Sequence, residues 1–409
     1  MHYSFRPMII NGLSARSRRM GLLCLLILVG ISDQAYSAQT PSQEPTSEEG
    51  NMAPIRVIGD RYPIFAGVAV DPVNDKVVMT DDNHFSVLLY DRDVPGDSEE
   101  ITEYRRRIQG PQTRLSSVCG VALDPETQEM YVLNTDFGNN MLVFSYEQSG
   151  NASPLRELSV DHGGWGIFLD RKVNNELFFT IQHLNKIAVY RPNAQGNETT
   201  VRFIQGPKTR LADPHGIFVD TENDEIVVTN HHSVHRIETG VHAATLNFPY
   251  MLQSTGRYQL ASVTVYSRTA QGDVAPLRTI QGPKTRLNLP LGVAVDAERD
   301  VIVVANDQTH SILVFPRTAH GNVAPLYAIE GPATQLKNPG ALVIDFENNE
   351  LWVTNWGDHS VTVYPRDARG NVAPLRTIRS APRGEPMAGL GTPSAIAWDS
   401  RRDQLLVPN

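Results

Sequence analysis

From Ala53 onward the chain alternates short apolar runs, rich in β-branched and aromatic residues, with turns built from Gly, Pro, Asn and Asp. Runs of this length and composition predict β-strands. One of them recurs as an apolar strand closed by Asp: GVAVD at Gly67, GVALD at Gly120, GIFLD at Gly166, GIFVD at Gly216, GVAVD at Gly292, ALVID at Ala341 and AIAWD at Ala395. Successive closing Asp residues lie 46 to 54 positions apart, except for one interval of 76 between Asp220 and Asp296. Seven copies of one unit are therefore expected, one of them carrying an insertion.

Each unit continues in the same order. A polar turn such as Thr221-Glu222-Asn223-Asp224 leads into a second strand such as Ile226-Val227-Val228-Thr229. The third strand reads SVTVY at Ser262 and Ser360 or SILVF at Ser311; after a Gly turn (GNVAP at Gly321 and Gly370) comes a fourth, PLRTI at Pro276 and Pro374. Four short strands per unit is the make-up of a propeller blade. The pattern predicts an all-β fold, a seven-bladed β-propeller of four-stranded blades over residues 53–409. Ile55-Arg56-Val57-Ile58 matches a fourth strand, and the last copy stops at Leu405-Leu406-Val407. The N-terminal strand is thus expected to close the last blade, which would otherwise be left short with an open edge.

The GVAVD strand, the second strand ending in VTN at Val228 and Val353, and the SVTVY strand resemble the NHL and YVTN classes of propeller repeat. The resemblance covers nearly all of residues 53–409. It implies the architecture and leaves activity open, since such propellers include both adhesion or scaffold modules and enzymes such as lactone hydrolases.

Composition adds an address. Arg16, Arg18 and Arg19 precede an apolar run from Met20 to Ile31 and the small residues of Ala35-Tyr36-Ser37-Ala38, which together read as a signal peptide over residues 1–38. Its route is ordinary secretion or, from Ser17-Arg18-Arg19, twin-arginine export. Residues 39–52, rich in Thr, Pro, Ser, Gln and Glu, read as a flexible linker. The expected location is periplasmic or extracellular, with no membrane span once the signal is removed and a monomeric state. The net charge of −9 leaves no basic patch for nucleic acid. Beyond the signal only Cys119 remains, so stability rests on packing and not on an internal disulfide.

Chemistry is sought where the repeat breaks. The Asp closing each first strand and the Asn closing strand two at Asn134, Asn230, Asn306 and Asn355 are turn formers. The segments GPQTRL, GPKTRL and GPKTRL place Arg114, Arg210 and Arg286 on one face, where a ring of guanidinium groups suits an anionic ligand. Units three and four depart from the consensus with Asp161-His162-Gly163-Gly164-Trp165, Gln182-His183, Pro214-His215 and Asn230-His231-His232. His162, His183, His215, His231 and His232 are thus candidate ligands for one divalent metal ion. Trp165 is a candidate wall or stacking surface for a ligand. The insertion at about residues 233–261 carries aromatic residues on the same face. No P-loop, G-x-G-x-x-G or G-x-S-x-G motif is present. The leading expectation is a propeller that binds a protein, glycan or small-molecule ligand on this face. The alternative is a metal-dependent hydrolase or lyase of lactonase-like type.

Overall fold

A computed structural model describes residues 61–97, 99–135, 138–231, 233–235, 254–385, 397–399 and 404–406. Six antiparallel sheets of four strands make six blades. Blade one is β1 (Phe65–Asp71), β2 (Lys76–Asp81), β3 (Ser86–Asp91) and β4 (Arg106–Ile108), and blade two is β5 (Val118–Asp124), β6 (Glu129–Asn134), β7 (Asn140–Ser145) and β8 (Arg156–Ser159). Blade three is β9 (Gly164–Asp170), β10 (Glu176–Ile181), β11 (Lys186–Tyr190) and β12 (Arg202–Gln205). Blade four is β13 (Pro214–Asp220), β14 (Glu225–Asn230), β17 (Ser262–Ser267) and β18 (Arg278–Gln281), interrupted by an inserted hairpin of β15 (Ser233–His235) and β16 (Ser254–Tyr258). Blade five is β19 (Pro290–Asp296), β20 (Val301–Asn306), β21 (Ser311–Pro316) and β22 (Tyr327–Ile329), and blade six is β23 (Pro339–Asp345), β24 (Glu350–Asn355), β25 (Ser360–Pro365) and β26 (Arg376–Arg379). Among the described residues there is no α-helix.

The expected count of seven blades is overturned. The inner strands adjoin in the cycle β1, β5, β9, β13, β19, β23 and back to β1. Phe65, Tyr90 and Val77 of blade one share one core with Trp352, Val361 and Val363 of blade six, so the junction leaves no place for a further blade. Among the described residues the seventh copy forms β27 (Ala397–Asp399) and β28 (Gln404–Leu406), a separate two-stranded sheet. Blade six takes its fourth strand from its own β26, not from the N-terminus. Residues 1–60, with the signal, the linker and the strand expected at Ile55–Ile58, lie outside the described residues.

One device joins the inner strands. Each carries a register shift at the residues just before its GVAVD-type run. Such a bulge displaces a backbone amide from the ladder. In blade one, Gly67 N donates instead to Thr80 Oγ1 at 2.8 Å, and that hydroxyl donates to Cys119 O of blade two at 2.6 Å. Blade four repeats this with Gly216, Thr229 and Leu291 O of blade five. The strands approach so closely that a Cβ on Gly67 would lie 2.3 Å from Cys119 O.

A second device joins the outer strands. In each of the five sequential junctions a turn glycine of one blade bridges the fourth strand of the blade before it, as Gly150 N does to Arg107 O at 2.7 Å. At the sixth junction the long β3–β4 connection of blade one takes over. Thr102 N donates to Arg379 O at 2.8 Å, and Arg379 N donates to Thr102 Oγ1 at 3.3 Å. Ser380 Oγ and His359 Nδ1 both bond Pro63 O, at 2.6 and 2.8 Å.

The repeated Asp and Asn act as turn formers. Asp71 Oδ1 accepts from the amides of Val73 and Asn74, and Asp220 Oδ1 from Glu222 and Asn223. Asn134, Asn230, Asn306 and Asn355 each accept an amide from the loop entering their own blade. On the outer side, Arg156, Arg202, Arg278 and Arg376 each clasp Glu129, Glu176, Glu225 and Glu350 with two bonds.

Two outcomes follow from this architecture. Gly67→Ala should lower stability by about 1–3 kcal/mol, because the Cys119 carbonyl and the Thr80 hydroxyl that bridge the two blades must both give way, and chemical denaturation against wild type measures it. Arg156 holds Glu129 below the usual carboxylate range; burial pushes Glu176 and Glu225 up, but Arg202 and Arg278 more than offset it. Such depressed groups stabilise the fold fully above the unfolded glutamate pKa of about 4.3 and lose that contribution as pH falls through their lower folded values. Thermal melts across pH 7 to 3 should therefore show stability dropping below about pH 4.3, and less steeply in Arg156→Gln.

Candidate functional site

The bulged strands form the wall of a central channel, lined by Gly67, Gly120, Gly166, Gly216, Gly292 and Ala341 with their neighbours and about 100 Å³ in volume. That is room for several waters. A ligand of sugar size must therefore be met at the mouth, where the residue before each channel-lining small residue is free to vary: Ala66, Cys119, Trp165, His215, Leu291 and Gly340. Just outside this ring lie the residues that follow strand two: Asp82, Thr135, Gln182, His231, Asp307 and Trp356. Their amides donate to the loop entering the same blade, as His231 N does to Asp213 O at 3.1 Å and Trp356 N to Asn338 O at 3.0 Å. The two rings are thus held at constant backbone geometry while their side chains differ.

Three blades use these positions for aromatic rings. Trp165 of blade three and Trp356 of blade six come from opposite sides of the ring and stack across the channel, with centroids 5.9 Å apart and planes 22° from parallel. Gly340 makes this possible, because a Cβ there would lie 2.0 Å from Trp356 Nε1. That indole N–H is buried and has no hydrogen-bond partner. The edge of Trp165 meets His215 at 4.6 Å, and His215 stacks on His231 at 3.5 Å. The result is a continuous array of four rings from blade six to blade four.

Asp213 anchors its blade-four end. Its backbone adopts φ 55°, a conformation that Asp tolerates better than most residues, and its amide donates to Asn185 Oδ1 of blade three at 2.9 Å. Its carbonyl sits 2.8 Å from His215 Nδ1. A carbonyl only accepts, so the Nδ1 that faces it is a protonated nitrogen of His215. The Asp213 carboxylate lies 4.0 Å from His215 Nδ1 and 3.9 Å from His231 Nδ1, and burial pushes its pKa up to about 6.

Placement of the expected site residues divides them. His215 and His231 meet, whereas His162 and His183 form their own pair in blade three with centroids 5.0 Å apart. His162 is 5% exposed, is bonded to Asn139 Oδ1 at 2.9 Å, and has its pKa lowered by burial. Among the described residues the grouping with metal-ligand composition is Asp213, His215 and His231, without His162 or His183. His232 lies outside the described residues, as does the insertion between residues 236 and 253. Trp165 lines the channel. Arg114, Arg210 and Arg286 close 3-10 turns in the left-handed conformation and bond Glu157, Gln281 and Glu330 near the outer strands. None of the three lines the channel.

Sequence reading had passed over Asp213 and Trp356. The available signal was their departure from the repeat: Asp213 stands where blades five and six have Leu289 and Asn338, and Trp356 follows the same VTN that His231 follows.

No family model and no curated protein matches the chain. Among solved structures it is similar to Kuenenia stuttgartiensis hydrazine synthase (13% identity, TM-score 0.49, 77% of this chain and 99% of that one). It is also similar to the WD40 β-propeller domain of Doa1 (11%, 0.47, 85% and 89%) and to a protein of unknown function from Desulfotomaculum acetoxidans (12%, 0.47, 80% and 92%). The likeness is one of fold, a β-propeller.

The hydroxyl that holds His215 gives a test. Thr180 Oγ1 accepts from Gly166 N at 2.8 Å and donates to His215 O. Thr180→Val leaves both backbone groups without this partner and should lower stability by about 2 kcal/mol, read by chemical denaturation.

Proposed function

We propose that this chain is a ligand-binding propeller of NHL/YVTN repeat type, exported by its N-terminal segment, that takes a glycan or other small ring-bearing ligand at the channel mouth. One observation carries the reading: four rings, Trp356, Trp165, His215 and His231, form an array across that mouth at positions where the repeat is free to vary. Trp165, Trp356 and His231 are partly exposed there. Indole faces bury large area with few torsions to order and suit the flat apolar face of a sugar or an aromatic ring. The inserted hairpin of blade four follows directly on β14, the strand that leads to His231, and so begins beside the array. The narrow channel supports binding on the mouth and not within the bore.

Trp165→Ala and Trp356→Ala should each weaken a glycan or small-ring ligand found by array screening at least tenfold while leaving the far-ultraviolet circular dichroism unchanged. Titration by calorimetry or by intrinsic tryptophan fluorescence measures this. Ligands that bind both variants as tightly as wild type would place recognition elsewhere.

A further inference from the structure

We infer that Asp213, His215 and His231 form a site for one divalent transition-metal ion of the zinc class. The site lies entirely within blade four, and the inference stands independently of the ring-ligand reading.

The donor set is two imidazoles and one carboxylate, with ligand atoms within 4.8 Å of one another. Nitrogen-rich sets of this kind suit zinc, iron, cobalt or copper, whereas magnesium and calcium prefer oxygen alone. The backbone that carries the donors is fixed. Asp213 O accepts from His231 N and from His215 Nδ1, Asn185 of blade three holds the Asp213 amide, and Thr180 of blade three holds the His215 carbonyl. A bond from Nδ1 to a backbone carbonyl is the kind of outer contact that orients a ligating imidazole.

Charge points the same way. The ion-pair partners that the structure gives Asp213 are the two imidazoles. A carboxylate buried without a fixed cation is unfavourable, and a bound ion would supply the missing positive charge.

The array also says what binding must change. His215 and His231 lie nearly parallel, 15° apart, so their lone pairs run side by side. Two ligands on one zinc ion can be no more than about 4.2 Å apart, twice the bond length of about 2.1 Å. His215 is held by its Nδ1 bond to Asp213 O, so His231 is the ring that turns about its soft Cβ–Cγ torsion when the ion binds, and Trp165, in edge contact with His215, senses the charge that the ion brings to that imidazole.

The full chain, stripped with chelator, is titrated with Zn²⁺ and Co²⁺ by equilibrium dialysis, with tryptophan fluorescence and Co²⁺ absorption followed in parallel. One ion per chain at micromolar free metal is expected, with a change in Trp165 emission that Trp165→Phe removes. His215→Ala and His231→Ala should lose more than the 10–100-fold in affinity that removal of an outer contact causes. Asp213→Asn, which keeps the side-chain shape, covers the case in which a histidine variant fails to fold and should also weaken binding. His162→Ala should bind as wild type. Absence of stoichiometric binding, a preference for Ca²⁺ or Mg²⁺, or loss in His162→Ala with the blade-four variants unaffected would overturn the inference.

Discussion

Every blade of this ring depends on a fault in its own first strand. The bulge before the GVAVD run pulls one amide out of the ladder, and in blades one, three and four the hydroxyl of a threonine on strand two takes its place before reaching across to the next blade. There intrablade hydrogen bonding and interblade contact are one interaction. It demands glycine beside it, since a larger residue would strike the neighbouring carbonyl. Blade six keeps the first half, with Thr354 Oγ1 accepting from Ala341 N, and blades two and five have Leu133 and Ala305 at that position.

The same constraint decides where chemistry can arise. Because the bulge and the amide bond after strand two fix the backbone, the side chains on the two rings of the mouth change without disturbing the wall. Blades one, two and five fill them with Ala66 and Asp82, Cys119 and Thr135, and Leu291 and Asp307. Blades three, four and six spend them on indoles and imidazoles, and the carboxylate of Asp213 sits behind. The ring wall therefore acts as a scaffold, and its departures from repetition are the candidate site.

Strand and blade identity were legible in the sequence because local signals repeat: an apolar run, an Asp turn, a β-branched run. Blade count was not, because the seventh copy keeps those signals, whereas among the described residues it makes a separate two-stranded sheet and the ring closes between blades six and one. That copy has Pro408 where blades one, three, four and six have threonine. The histidines were legible as departures from the repeat, but which of them meet was not: the bulge register makes Trp165 the counterpart of His215 and Gln182 that of His231. Displacements of one to three residues are invisible to spacing and decide which side chains meet. The Arg residues of GPKTRL were repeated for a turn, with their left-handed backbone and acceptors near the outer strands.

The strap between blades one and six gives the chain a timetable. Thr80 finds Cys119 across 39 residues, whereas Thr102 finds Arg379 across 277 and Pro63 finds Ser380 across 317. Joining ends that far apart carries roughly 2 kcal/mol more loop-closure entropy than a sequential junction. The first five junctions can form as synthesis proceeds, each within reach of the blade before it. The sixth waits until blade six exists, and until then the inner flank of blade one and its β3–β4 connection stand open. Closure of the seam is then the slow, non-local step in folding, and the unfinished ring, with those edges exposed, is the species most open to pairing with another copy of itself.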